Sequence, residues 1–483
     1  MILPSFAPNS PSTNGAMGNT GQSWPTKLIR VICSFLPSFL HRYTPIALPA
    51  RDHPYESLSQ QDYRQATYFL DGMRGLAALC VFLEHLLLPF WKGIFYSYGG
   101  SNDSRSLIQL PIVRLFYSGS PMVCIFFVIS GIALSLKPAR LAREGQHQQL
   151  YKTLESMAFR RGMRLFLPCF VASFVHMLVA HASWCDIRSV KWEGPAEVQD
   201  EFWLKQPEHV IGLMNQAYQW LDFFVDKVLI PSTWRGTSTG RDYGDLEHIE
   251  YGAQLWTVGI EYWSSILLFV MLLGTTSLSL VCKSLLMTAF AGFSLWVGRW
   301  DVALFLFGSV LAHFTTFEHP SKWYSGRTWE QILFGLLFCF GLHFASFPEL
   351  GGSKTPGFAW LPLTDNSRLW QSVGASLIVL SSINLHFTKK IFSYRLFLYL
   401  GRISFSIYVT HMLLLGVVGW RLVALIRTWF GKGTSVGELE AVIASAFVLF
   451  PLQIWVADLF CRFVDEPCNH WASRIHRYLV IAT

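Results

Sequence analysis

Phe69-Leu-Asp-Gly-Met-Arg-Gly-Leu-Ala-Ala-Leu-Cys-Val-Phe-Leu-Glu-His85 is the stretch that decides the fold. It places a fixed charge, Arg74, and a titratable imidazole, His85, inside one apolar run. Eleven positions separate them. At about 100° per residue this is only about 20° beyond three helical turns, so both face the same way. A charge and an imidazole on one face of a membrane helix are costly to bury and mark a functional path.

The rest of the chain supports a membrane setting. Of 483 residues, 52% are hydrophobic and only 14% charged. Soluble domains carry about 25% charged residues. We therefore expect an all-α integral membrane protein with about ten transmembrane helices. The segments are 69–91, 117–136, 165–184, 254–274, 278–297, 302–317, 330–347, 370–387, 396–420 and 440–463. Residues 1–66 read as a cytosolic N-terminal region, a polar tail followed by an amphipathic stretch at 24–43 or a plain linker. Residues 67–467 form the membrane domain, and 468–483 a cytosolic tail.

Loop charges orient these helices. Loop 137–164 has seven Lys or Arg against two Glu, whereas loop 185–253 has six basic against twelve acidic residues. The first is expected in the cytoplasm and the second in the lumen or outside, with both termini cytoplasmic. The only glycosylation sequon, at Asn102, then falls on the lumenal side. The net charge of +7 follows from this loop bias and requires no nucleic acid. Nine scattered cysteines form no C-x-x-C pair, so neither a disulfide framework nor a metal site is expected. The chain has no inverted pair of half-sequences of the kind many transporters show.

Six motifs in order carry a resemblance. Arg74 and His85 resemble the Arg-x10-His signature on the first helix of the acyltransferase-3 family, integral membrane acyl-CoA-dependent acyltransferases. Phe126-Phe-Val-Ile-Ser130-Gly131 is similar to the family's second-helix motif. Arg160-Arg161-Gly-Met-Arg164-Leu-Phe-Leu-Pro168 resembles its basic run before helix three. Leu255-Trp-Thr-Val-Gly-Ile-Glu261-Tyr resembles its Trp-to-Glu segment in a fungal form. Leu400-Gly-Arg-Ile-Ser-Phe-Ser-Ile-Tyr408-Val-Thr-His411 resembles its late Gly-to-His motif. Glu466-Pro467 stands at its closing Glu-x-Pro, without the spacer residue.

The resemblance implies an enzyme that moves an acyl group, acetyl first, from acyl-CoA to a hydroxyl. Acyl-CoA is a co-substrate, and no bound cofactor is expected. Arg74, Ser130, Arg160, Arg161 and Arg164 are expected to hold the acyl-CoA, since Arg binds phosphate bidentately and stays charged. The three arginines of the basic run also suit ordinary cytosolic anchoring of a helix. Ser130-Gly131 suits close helix packing equally. His85 is the expected general base, and Glu261, catalytic with it, or His411 is expected to orient the imidazole or bind the acceptor. Tyr408, His411 and Arg402 are expected near the acceptor or behind the catalytic groups. Asp71 is expected to cap its helix or pair with Arg74, and Glu84 to play a rim or structural part.

Counting along the helices suggests two polar layers. Arg74, Ser130 and Arg402 lie about 7–9 Å from the cytosolic ends of their segments, and His85, Glu261 and His411 about 9–13 Å from the lumenal ends. The acceptor is left open by the residues. A small hydrophobic alcohol such as a fungal terpenoid or polyketide is the first expectation, and a cell-surface glycan or lipid the second. A transporter with a His/Glu proton relay is the rival of another class. The host membrane is expected to be the endoplasmic reticulum or the plasma membrane.

Overall fold

A computed structural model describes residues 33–43, 58–102, 104–185, 206–230, 251–314, 326–363, 366–430 and 435–481. The N-terminal tail 1–23, much of loop 185–253 and the sequon's Asp103 lie outside the described residues. The chain divides into two compact units, Met1–Pro54 and Tyr55–Thr483. The first contributes a 3-10 turn at Ser38–Tyr43.

The second unit is helical, with one isolated bridge between Tyr96 and Leu350 among the described residues. Its helices are α1 (Leu58–Leu87), α2 (Gly119–Arg143), α3 (His147–His181), α4 (Leu213–Phe223), α5 (Trp256–Gly274), α6 (Leu280–Trp296) and α7 (Trp300–Phe314). There follow α8 (Thr328–Ala345), α9 (Ser367–Asn384), α10 (His386–Phe392), α11 (Arg395–Leu414), α12 (Trp420–Phe430), α13 (Ser435–Phe460) and α14 (Glu466–Ile481). Single π turns at Leu415–Gly419 and Cys461–Asp465 join α11 to α12 and α13 to α14.

Among the described residues each of the ten expected segments contains helix. Among the described residues, seven helical runs are long and apolar enough to cross a membrane. Two of these are Arg395–Trp429 and Glu440–Val480, while α6 and α7 are shorter apolar helices. The chain is thus a multi-pass membrane protein.

The expected cytosolic loop 137–164 is corrected: it is mostly helix. α2 continues to Arg143, α3 begins at His147, and Pro168 lies inside α3. Hydropathy stops at the first charge, whereas the helix does not. Long basic side chains carry a helix beyond the apolar layer by extending their charges toward water. The expected tail from 468 likewise forms α14, which packs on α3.

Glycines set the packing that positions the site. A Cβ at Gly131 of α2 would strike the carbonyl of Phe305, and one at Gly308 of α7 the carbonyl of Val128. The backbones of α2 and α7 therefore touch. In the same way Gly401 of α11 sits on the Asp71 carbonyl of α1. This contact fixes α11, with Tyr408 and His411, against the helix of Arg74 and His85.

Candidate active site

Two cavities of unequal size lie along α1. The larger, about 890 Å³, is bounded by α1, α2, α3, α5, α11 and α14. Six cations line it: Arg74, Lys137, Arg140, Arg160, Arg161 and Arg164. Only three carboxylates do so: Glu144, Glu261 and Asp465.

Two of these charges form the cavity's most buried pair. Arg161 Nη2 donates to Glu261 Oε1 at 2.5 Å, and the Ser130 hydroxyl donates to the same oxygen at 3.0 Å. Arg161 Nε reaches Ser265 Oγ at 3.4 Å. The Arg161 side chain is 9% exposed and that of Glu261 20%, so the pair needs these extra hydrogen bonds to offset its desolvation. Arg140 is held by Glu144 at 2.6 Å. Arg74 has a weaker partner, Asp71 at 3.5 Å, and its buried Nε has no hydrogen-bond partner. The cavity therefore keeps an excess of positive charge facing its interior.

The smaller cavity, about 60 Å³, is lined by His85, Glu84, Gln254, Trp256, Glu349 and Arg368, among others. His85 Nδ1 lies 2.9 Å from the Val81 carbonyl one turn earlier. A carbonyl only accepts, so Nδ1 carries the proton and Nε2 is the nitrogen with the free lone pair. His411 behaves alike, with Nδ1 at 3.2 Å from the Ile407 carbonyl and a buried Nε2 without a partner. The two rings stand 4.9 Å apart, centroid to centroid.

A buried ionic frame supports this pocket. Arg114, wholly buried, donates to the carbonyls of Ser346, Phe347 and Ile94 at 3.0–3.1 Å and to Glu349 Oε2 at 3.0 Å. Gln371 of α9 donates to Glu349 Oε1 at 3.1 Å. Arg368 lies over the Trp300 ring at 5.0 Å and donates to the Ser120 carbonyl at 3.3 Å. The Glu84 carboxylate sits against Gly119, the first residue of α2, where a Cβ would overlap it.

Comparison with known proteins decides the family. Residues 67–462 match the acyltransferase domain of the acyltransferase-3 family. The chain belongs to this family. It is an acyl-transferring enzyme of the membrane. Three relatives it matches are fungal. An O-acetyltransferase, PaAT-1, of Phomopsis amygdali is 30% identical, covering 83% of this chain and 82% of its own. Acyltransferase R4 of a Phoma species and acyltransferase clz18 of Cochliobolus lunatus are each 25% identical, over 85% of this chain and 96% of theirs. No solved structure matches the chain.

For this acyltransferase-3 protein the sequence reading can be placed residue by residue. Arg74, Ser130, Arg160, Arg161 and Arg164 converge on the large cavity. His85 faces the small one. Glu261 lines the large cavity and accepts from Ser130 and Arg161, while the Nδ1 of His85 lies against the Val81 carbonyl. The two-layer depth count failed because α2 and α3 run beyond their assumed ends, which brings Ser130 and Arg161 to the level of Glu261. Arg402 lines neither cavity and pairs with Glu466 at 2.7 Å, about half exposed. Asn102 is exposed, while Ser104 of its sequon is buried and bonded to Ser101 at 2.6 Å. Asp71 pairs with Arg74, one of its two expected parts.

Sequence reasoning missed Lys137 and Arg140, counted only as loop charges. It also missed Arg114, Glu349, Arg368 and Gln371. The first two carried a signal, because they follow Ser130 at roughly helical spacing. Of the other four, Arg368 and Gln371 lie three positions apart on α9, while Arg114 and Glu349 sit on separate segments that no periodicity links to them.

Proposed function

We propose that the protein transfers an acetyl group from acetyl-CoA to the hydroxyl of a small hydrophobic acceptor, a fungal secondary metabolite. The carrying observation is the unequal pair of cavities. One is wide and over-supplied with cations, and the other is narrow and holds a histidine with a free Nε2. The phosphates of the coenzyme suit Arg74, Arg160 and Arg164, and Arg161 is held ready by Glu261. By charge this mouth faces the cytosol, where the donor is made.

Arg74 and His85 are about 16 Å apart along α1, so one residue cannot do both tasks. The extended pantetheine arm spans this interval. His85 Nε2 takes the proton from the acceptor hydroxyl as its oxygen attacks the thioester carbonyl. The C–S bond then breaks, and the imidazolium returns its proton to the leaving thiolate. His411 backs the reacting ring without touching the substrate. The name of the O-acetyltransferase relative supports acetyl as the group moved, and the fungal relatives support the acceptor class.

Membranes containing the chain, supplied with isotope-labelled acetyl-CoA and a fungal metabolite extract, test this by mass spectrometry. A labelled ester absent from the His85→Ala sample is the expected result. Movement of a solute without consumption of acetyl-CoA overturns it.

A further inference from the structure

Only two residues line both cavities, Val123 of α2 and Tyr408 of α11. These two side chains form the wall that the two cavities share. Tyr408 cannot easily swing aside. Its hydroxyl lies 2.7 Å from the Gln254 carbonyl, to which it donates, and 2.5 Å from Thr257 Oγ1. Its ring stands edge-on to Phe126 at 6.3 Å and to His411 at 5.9 Å. Moving the ring gives up two buried hydrogen bonds and two aromatic contacts together. Val123 is buried within the apolar core, 8% exposed.

The space beyond the partition is small. About 60 Å³ compares with roughly 10–15 Å³ for one water on the same kind of measure. That admits a two-carbon acyl group and the attacking oxygen, and no extended chain. We propose that Tyr408 and Val123 form a rigid sieve that restricts this enzyme to short acyl donors. The proposal rests on acyl-CoA being the donor.

The test compares acetyl-CoA with butyryl-CoA by kcat/KM in wild type and three variants. One methylene in a fitted apolar site changes rate about 10–200-fold. Tyr408→Leu should raise the butyryl-to-acetyl ratio by about tenfold or more. Val123→Ala should raise it by a smaller factor, and it carries the test if Tyr408→Leu does not fold. Val123→Phe should slow acetyl transfer while CoA still raises the melting temperature of the protein, which keeps donor binding in the large cavity. An unchanged ratio in both enlarged variants, with acetyl transfer continuing, overturns the sieve alone. Failure of the wild type to consume either thioester overturns the donor assignment and the sieve with it.

Discussion

The two cavities are built on opposite electrostatic plans. At the small pocket, Glu349 and Arg368 of its wall, with Arg114 and Gln371 behind them, bind one another or backbone carbonyls. In the large cavity six cations face three carboxylates, and Arg161–Glu261 is the buried pair among them, so cations are in excess. A protein gains nothing by gathering unmatched cations on one wall, since like charges repel. Unmatched charge thus marks where a ligand brings the counter-charge, and matched charge marks where the frame must hold still. On the proposed reading the cationic end binds the donor, and the histidine end is a fixed mould.

The largest effect should separate the two ends completely. His85→Ala removes the base while leaving every wall of the large cavity in place. The expected loss in kcat is about 10²–10⁴. The CoA-dependent rise in melting temperature should be unchanged. Loss of CoA binding in this variant would break the division between binding end and reacting end.

Next comes the one buried pair inside the binding surface. Glu261→Ala leaves Arg161 buried without its carboxylate, a change that costs about 3–5 kcal/mol of stability. Thermal unfolding in detergent should show it. The double variant Arg161→Met, Glu261→Leu should regain much of that stability, because apolar replacements of a buried pair are often neutral. It should not regain donor affinity. Recovery of both would make the pair purely structural.

How much of this was legible from sequence follows the same division. The large cavity's residues stand in short motifs on a few helices, so helical spacing exposed Arg74 and the family resemblance exposed Ser130, Arg160, Arg161 and Arg164. The pocket's frame joins Arg114, in a 3-10 turn at Val113–Tyr117, to Glu349, 235 positions later. No local pattern links two such residues, and only packing does. Depth was the weakest reading, because the helices outrun their apolar stretches at charged ends. Glu261 was therefore placed beside His85 when its partners are Ser130 and Arg161.

A third prediction addresses a cation that faces the open cavity. Arg164 lines the cavity, and a charge-assisted contact to phosphate is worth about 1.5–3 kcal/mol. Arg164→Ala should raise the KM for acetyl-CoA by about tenfold or more, with kcat little changed. The salt dependence of that KM should weaken, since one screened attraction is gone. A kcat loss instead would move Arg164 from binding to chemistry.

The smallest effect belongs to Arg402, and it is the most diagnostic for the boundary of the site. Its motif neighbours Tyr408 and His411 are buried, which by sequence grouped it with them. Six positions from Tyr408 is about 600°, or roughly 120° away from it around the helix. That rotation takes Arg402 off the cavity face and onto Glu466. With side chains 49% and 25% exposed, the pair contributes at most about 1 kcal/mol. Arg402→Ala should lower the melting temperature slightly and leave both KM values and the butyryl-to-acetyl ratio where they were. A changed acceptor KM would extend the site around α11 to a face that touches neither cavity, and the division into two ends would have to be redrawn.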